Sequence, residues 1–288
     1  MRGKIVSTVG GVHTIYSEGV TYNVIAKGVF RFRNQTVLVG DNVDFDDEEC
    51  VIYNIDSRKN ELIRPRVANL DQLIIVMSLK QPEFSKELLY KFVTYANYNK
   101  VKSKVVLTKY DLVENKEEIT NICNELSFLG IEHFLISKKT EDHGEINKLM
   151  KDLENKVTIF MGQTGVGKSS LINLIDASFN RGIGEYSEAL GRGKHQTKEV
   201  ILLPYKNGYI GDTPGFSSLD LTLSKIELAH YFPGFKELNY EGCFYSDCLH
   251  LHEKDCNIIN AVNENKYPRD VYDIYVKLSN NLGQDRRK

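Results

Sequence analysis

Gly162-Gln163-Thr164-Gly165-Val166-Gly167-Lys168-Ser169-Ser170-Leu171 decides the fold of this 288-residue chain. Its first eight residues have the form G-x-x-x-x-G-K-[ST]. They follow an apolar run, Val157–Met161 (VTIFM), and open a segment, Ser169–Phe179, with helical spacing. The glycines let the backbone curl so that successive N–H groups point inward at phosphate oxygens. Lys168 supplies a point charge to the outer phosphates, and the Ser169 hydroxyl can ligate Mg²⁺. A glycine-rich turn without a ligand needs neither the strand before it nor the helix after it. The context therefore predicts a phosphate loop.

Working outward, Gln72–Ser78 (QLIIVMS), Lys104–Thr108 (KVVLT) and Glu132–Ser137 (EHFLIS) are further apolar runs, as expected of strands buried on both faces. Lys86–Tyr98, Lys116–Leu129 and Glu145–Leu153 have helical spacing between them. Strands alternating with helices predict a parallel sheet covered on both faces. Val200–Leu203 and Tyr209–Gly211 add strands later.

Two more motifs end strands of this sheet. Asp212-Thr-Pro-Gly215 follows Tyr209–Gly211. A carboxylate there can hold Mg²⁺ through water, and the Gly215 N–H can reach a γ-phosphate. Thr108-Lys109-Tyr110-Asp111 follows Lys104–Leu107. The Asp111 carboxylate can accept from guanine N1–H and N2–H₂, a donor pair that adenine lacks. A helix N-cap is the competing role for that aspartate. The order is unusual. The base reader precedes the phosphate loop, which precedes the switch segments at about 192–215, so the domain reads as a circularly permuted GTPase. The second switch then leads straight into the C-terminal residues.

Residues 1–66 read as short strands, Lys4–Val9, Val12–Ser17, Thr21–Lys27, Gln35–Val39 and Asn42–Phe45, broken by Gly10-Gly11, Gly28 and Gly40-Asp41. That spacing predicts a small β-barrel or sandwich. After about residue 222 strands vanish, and Leu223–Tyr231 and Asp270–Leu282 look helical. Cys243-x₄-Cys248-x-His250-x₅-Cys256 lies between them. Three thiolates and one imidazole suffice for a closed tetrahedral Zn²⁺ site, with His252 a competing ligand by proximity. Cys50 and Cys123 are expected to be packing residues.

The composition is that of a multidomain globular protein, 41% hydrophobic and 26% charged. A net charge of −2 excludes a uniformly basic nucleic-acid binder but says nothing of local patches. Arg2, Lys4, Lys27, Arg31 and Arg33 face only Glu18 up to position 33. No apolar stretch approaches the ~20 residues of a membrane span. Met1–Thr8 lacks the apolar core of a secretory leader, so a cytoplasmic protein is expected. Five cysteines, three of them crowded into 243–256, argue for a metal site over a disulfide framework.

Taken with Arg64-Pro-Arg-Val-Ala-Asn-Leu-Asp-Gln72 and Gly191-Arg-Gly-Lys-His-Gln-Thr197, these motifs resemble the circularly permuted GTPase family RsgA (also called YjeQ or YloQ) over essentially the whole chain. The resemblance implies three domains: an OB-fold barrel at 1–66 that binds RNA, a permuted α/β P-loop GTPase domain at 67–222, and a mainly α zinc-binding domain at 223–288. It implies GTP hydrolysis stimulated by the small ribosomal subunit, late in maturation of that particle. GTP and GDP, the subunit and its rRNA are the implied partners, without a membrane and with the chain a monomer. Thr197 aligns with the first-switch threonine that ligates Mg²⁺ alongside Ser169 and Asp212. His195 aligns with a histidine thought to assist hydrolysis. Phe216 follows Asp212-Thr-Pro-Gly215 where Ras-like proteins carry a water-positioning glutamine, so His195 or the ribosome must supply that function. The family favours His250 over His252 as the zinc ligand.

Two positions depart from the family pattern. Gln196 stands where threonine is usual, and Ser137-Lys138 where Ser-Ala is usual in the guanine-edge loop, leaving their backbone as the contact. Arg31, Arg33, Arg64 and Arg66 are candidate phosphate contacts, and Tyr22, Phe30 and Phe32 candidate base-stacking side chains, with core or solvated roles as the alternatives. Two rivals stand beside the GTPase: a nucleotide-gated RNA-binding module with incidental turnover, and a metabolic P-loop kinase, for which no acceptor pocket is evident.

Overall fold

The structure is a computed structural model that describes residues 1–28, 30, 35–139, 143–177, 179, 200–213, 219–239 and 242–282. His195, Thr197, Gly215, Phe216 and the arginines at 31 and 33 lie outside the described residues.

Five strands, β1 (Arg2–Val9), β2 (Val12–Ser17), β3 (Val20–Ala26), β4 (Asn42–Asp46) and β5 (Val51–Ile55), close into a barrel in the order β1-β2-β3-β5-β4. Pairing of Arg2 with Asp44 and Lys4 with Asn42 shuts it, and the one parallel contact is β3 to β5. Its core is Ile5, Ile15, Val24, Phe30, Val43, Phe45 and Ile52. The pairing shifts register between Ile5 and Ser7, and as successive strand residues face opposite ways, two neighbours are buried on different sides. Ile5 enters the barrel, and Val6 joins the larger core shared with the rest of the chain.

Two sequence expectations change here. Gln35–Val39 is not a strand. Val37, Leu38 and Val39 are buried as irregular chain between the barrel and the following segment, with a single bridge from Val39 to Val67. The strand Val51–Ile55 has no clean alternation in its burial and was not evident from the sequence. Phe30 is 4% exposed and belongs to the barrel core, so it offers no stacking face. Tyr22 is half-buried with its ring 5.1 Å from that of Phe45.

A short ribbon, β6 (Glu61–Leu62) with β7 (Val67–Ala68), leads into a six-stranded sheet. The sheet contains β8 (Gln72–Ser78), β9 (Lys102–Thr108), β10 (His133–Ile136), β11 (Val157–Met161), β12 (Ile201–Tyr205) and β13 (Gly208–Asp212), ordered β10-β9-β8-β11-β13-β12. Five strands are parallel. The edge strand β12 is antiparallel to β13, which corrects the all-parallel expectation. Alternate residues of each strand feed opposite cores, Leu73, Ile75 and Met77 one way and Ile74 and Val76 the other. Helices α1 (Lys86–Tyr98), α2 (Lys116–Phe128), α3 (Gly144–Asp152) and α4 (Lys168–Ile175) connect the strands. The chain runs outward from β8 through β9 to β10, then returns to β11 on the other side. The crevice at the carboxyl ends of β8 and β11 is therefore the topological switch point where ligands bind.

Among the described residues after the sheet there are four helices: α5 (Lys225–Tyr231), α6 (Phe235–Leu238), α7 (Asn257–Asn263) and α8 (Arg269–Asn281). Their rings, Phe232, Phe235 and Tyr275, lie in the same core as Tyr90 of α1, and Tyr90 and Phe232 are 6.0 Å apart. Lys86 binds Glu125 at 2.7 Å and Asp270 at 2.5 Å, tying α1, α2 and α8 together. Among the described residues no helix is long and apolar enough to cross a membrane.

At the amino end of the sheet Lys104, only 3% exposed, binds Asp152 at 2.7 Å and Glu132 at 3.1 Å, and Lys156 binds Asp152 at 2.6 Å. Burial alone would raise the Asp152 carboxyl, but hydrogen bonds from Lys104 and Lys156 outweigh it and hold it below its ordinary 3.8. Asp152→Asn should cost about 3 kcal/mol, because it strips a buried ammonium of its nearer counter-ion while leaving Glu132. A depressed carboxyl contributes stability above its unfolded value and loses it as pH falls through the folded one. Urea melts should thus show the penalty at neutral pH and a shrinking penalty below 3.8.

Candidate guanine-nucleotide site

The phosphate loop joins β11 to α4 at the switch point. Its glycines are there for separate reasons. A Cβ on Gly162 would lie 2.3 Å from the Val76 carbonyl oxygen, so the loop can pass β8 only without a side chain. Gly165 and Gly167 have φ of +84° and +96°, where other residues are strained. Gly167 is the N-cap of α4 and turns the first N–H groups of the helix toward the loop. Val166 is buried and anchors the turn, whereas Thr164, Ser169 and Ser170 are exposed.

Lys168 is largely buried. Its ammonium donates to Asp212 Oδ1 at 2.5 Å and to the Thr213 carbonyl at 2.6 Å. Thr213 is fixed in turn, its N–H and hydroxyl both bonding the Phe160 carbonyl. The cation of the phosphate loop and the carboxylate ending β13 thus share one point at the top of adjacent strands. Ser169, the next residue in the chain, is exposed, and its hydroxyl and the Asp212 carboxylate are oxygen donors of the kind that suit a hard cation such as Mg²⁺.

The Thr108–Asp111 segment is fastened to the same loop. The Thr108 hydroxyl donates to the Val166 carbonyl at 2.5 Å, with the Met77 carbonyl at 3.3 Å. Lys109, at φ +56°, sends its ammonium to the Gly165 carbonyl at 2.6 Å and to the Gln81 carbonyl. Asp111 lies in the turn Tyr110–Leu112 just beyond β9. The Ser137 hydroxyl donates to Asp111 Oδ1 at 2.5 Å, and Lys139 Nζ is 3.7 Å from Oδ2. The sequence had left Ser137 only a backbone role; its side chain holds the carboxylate. The contacts of Gln81 and Lys139 were also missed, because neither position belongs to a recognisable motif. Lys138 is exposed at the rim.

The cysteine cluster is gathered as the spacing suggests. One donor atom from each of Cys243, Cys248, His250 and Cys256 lies within 4.8 Å of all the others. Cys243 Sγ is 3.9 Å from Cys256 Sγ, and His250 Nδ1 is 3.6 and 3.3 Å from those two sulfurs. A tetrahedron built on Zn–S of about 2.3 Å and Zn–N of about 2.0 Å has edges of about 3.8 and 3.5 Å, so the donors fit zinc. Burial pushes the Cys248 and Cys256 thiols up and the His250 imidazole down to about 4. Glu253 caps the loop. Desolvation works against its charge, but N–H groups of Leu249, Leu251 and His252 bring its carboxyl down to about 2. His252 is exposed and outside the cluster. Cys123 packs against the main core, whereas Cys50 is exposed on a turn, contrary to the packing role expected of it.

The Thr108–Asp111 motif, a phosphate loop and a strand-end carboxylate, met in that order along the chain, are the pattern of a circularly permuted P-loop GTPase. The profile of the RsgA GTPase matches residues 55–222, and that of the RsgA N-terminal domain matches residues 2–50. The small ribosomal subunit biogenesis GTPase RsgA of Streptococcus pyogenes serotype M3 is 37% identical over all of this chain and 97% of its own length. The crystal structure of YjeQ from Thermotoga maritima superimposes with a TM-score of 0.82 at 33% identity, over 98% of this chain and 99% of that one. YloQ, described as a circularly permuted GTPase, gives 0.80 at 32% identity over 100% and 96%. The chain belongs to the RsgA GTPase family, and it is a GTP hydrolase.

Proposed function

We propose that this GTPase acts in biogenesis of the small ribosomal subunit, binding the particle through its rRNA and hydrolysing GTP faster when bound. The single observation that supports this most is the fastening of Thr108 and Lys109 to the phosphate loop whose Lys168 meets Asp212, in a chain matched end to end by relatives named for that role. In this reading the protein is a cytoplasmic monomer with an RNA-binding barrel and a structural zinc domain, divided near residues 66 and 222.

The residue roles follow from chemistry. N–H groups of Gly162 through Gly167, with Gln163, Thr164 and Val166 among them, cradle the phosphates, and Ser170 continues that contact. Lys168 neutralises the outer phosphates. Asp111, held by Ser137, reads guanine between Lys109 and the backbone of Ser137-Lys138. Ser169, Thr197 and, through water, Asp212 would hold Mg²⁺, which would supply positive charge against that developing on the phosphates. Gly215 aligns the γ-phosphate. Water adds to the γ-phosphorus as its bond to the bridging oxygen breaks, giving GDP and phosphate, and His195 or the subunit orients that water.

The test compares GTP turnover with and without purified small subunits. Stimulation of about 10-fold or more, absent with ATP, is expected where a partner completes a P-loop site. No stimulation, or equal ATP turnover, overturns the reading.

A further inference from the structure

Asp212 is the last residue of β13 paired on both sides, to Phe160 of β11 and to Ile201 of β12. Just before it the strand is wedged between its neighbours. A Cβ on Gly211 would lie 2.5 Å from Ile159 Cδ1 and 2.8 Å from Leu202 Cδ2. One residue beyond Asp212 the pairing with β12 has run out, and β11 alone holds the chain.

Thr213 makes that remaining attachment twice. Its N–H donates to the Phe160 carbonyl at 3.2 Å, and its hydroxyl donates to the same oxygen at 2.8 Å. A carbonyl oxygen has two lone pairs, so one acceptor satisfies both donors. Thr213 is 1% exposed, so water does not compete for that oxygen. The Thr213 carbonyl accepts from Lys168 at 2.6 Å, and Asp212 Oδ1 lies 2.5 Å from the same ammonium. Phe160 stands two residues before Gly162, at the root of the phosphate loop. The hydroxyl thus closes a ring of contacts that runs from Phe160 to Thr213, from Thr213 and Asp212 to Lys168, and along the loop back to Phe160. That ring fixes how far β13 reaches along β11, and so where the Asp212 carboxylate stands against the phosphate loop.

We propose that Thr213 is a positioning residue for GTP hydrolysis, its hydroxyl setting the register at which Lys168 and Asp212 meet the outer phosphates. It acts through those two side chains and not on the reacting atoms. The proposal rests on the roles assigned above to Lys168 and Asp212 and is independent of the ribosomal partner.

The test compares the full zinc-loaded chain with Thr213→Val, Thr213→Ser and Thr158→Val, without ribosomal subunits. Valine keeps the branched shape and removes the hydroxyl, whereas serine keeps the hydroxyl and removes the methyl. Thr158, near the amino end of β11, is fully buried and accepts from Gln72 at 3.2 Å, so its variant reports the cost of losing a buried hydrogen bond away from the site. Single-turnover hydrolysis of GTP gives the rate. A fluorescent GTP analogue titrated with Mg²⁺ gives the metal requirement apart from turnover. Thr213→Val should lower the rate about 10-fold, because a small misplacement of a reacting group is costly. It should raise the Mg²⁺ midpoint about 3-fold, the scale of one hydrogen bond. GDP affinity should stay within about 2-fold, because the base and loop contacts remain. Thr213→Ser should match the wild type, and Thr158→Val should lose stability to urea with rate and midpoint unchanged. An unchanged rate and midpoint in Thr213→Val overturn the proposal. So does a Thr213→Ser variant as slow as Thr213→Val, which would remove the hydroxyl from the explanation. A Thr158→Val variant slowed as much also overturns it, since the loss would then be one of general stability. A fall in GDP affinity as large as the fall in rate does the same, because the hydroxyl would then serve binding alone. Lys168→Ala, measured alongside, separates the two readings. Wild-type turnover in Lys168→Ala would sink the site assignment itself. An inactive Lys168→Ala beside an unslowed Thr213→Val would sink only the positioning role.

Discussion

Removing the metal from the C-terminal cluster is expected to unfold residues 225–281 while leaving guanine-nucleotide binding on the sheet. The helices there have seven, four, seven and thirteen residues, too short to persist on propensity. Their stability comes from rings packed against the cysteine loop. The Tyr272 hydroxyl bonds the His250 carbonyl at 2.8 Å, that of Tyr275 bonds the Leu249 carbonyl, and the ring of Phe235 meets the His250 imidazole edge-on at 5.4 Å. The three cysteines and His250, gathered where they could ligate one zinc ion, would hold that loop in place. Structural zinc contributes about 10–16 kcal/mol of apparent binding energy, as much as a whole domain's net stability. Amide protection in 225–281 should therefore collapse after chelation, and Cys256→Ser should behave likewise, with about one zinc per chain in the untreated protein. Protection retained in metal-free protein would refute the assignment. The pH dependence has a definite sign. Burial raises the thiols of Cys248 and Cys256, so zinc must displace their protons, and apparent affinity should fall up to about 10-fold per pH unit for each thiol as the solution is acidified. His250, solvated in the unfolded metal-free segment, should add to that slope once the pH falls below the ordinary imidazole value of about 6.5.

What the sequence revealed, and what it hid, follows a physical division. Strand Val157–Met161 and its glycine loop were legible because a doubly buried strand and a phosphate loop each leave a local signature. Asp111, Lys168 and Asp212 stood out for the same reason, since each lies at or just beyond the carboxyl end of a strand of one sheet, Asp111 in the turn after β9, Lys168 at the start of α4 and Asp212 at the end of β13. The barrel was read less well. Val37-Leu38-Val39 has the composition of a strand, yet it is buried by its position in the seam, where Gly40 approaches the Ala68 carbonyl so closely that a Cβ would lie 2.0 Å away. Nothing local distinguishes that seam from a strand. Strand β12 is antiparallel because only a two-residue turn, Lys206-Asn207, joins it to β13, and both residues adopt positive φ. Apolar content alone could not separate Phe30, a core residue, from a stacking one. The contacts that fasten base reader to phosphate loop, from Lys109 to Gly165 and Gln81, span 56 and 28 positions and have no signature in any short window.

Asp111→Asn should convert a guanine site into a xanthine site. The carboxylate is held by the Ser137 hydroxyl on one oxygen and approached by Lys139 at 3.7 Å on the other. In that pose it can accept from both N1–H and the 2-amino group of guanine. An asparagine keeps one acceptor for N1–H but sets its own NH₂ against the guanine amino group. Ser137 can still donate to the amide oxygen, so the turn Tyr110–Leu112 should survive. A site built to bond a substrate group discriminates by about 10⁴–10⁵ when that pairing is broken. GTP affinity should therefore fall by at least about 10³-fold, the lower figure allowing for retained phosphate contacts at Lys168 and the loop. Xanthine carries an oxygen where guanine carries the amine, so xanthosine triphosphate should bind the variant in GTP's place. Isothermal titration with both nucleotides gives the answer directly. Undiminished GTP affinity would remove Asp111 from the base site. Equal loss of both nucleotides would mean that the turn, rather than base recognition, had been damaged. A swap of preference, with subunit-dependent turnover now driven by the xanthine nucleotide, would link the base reader to the hydrolytic cycle in one protein.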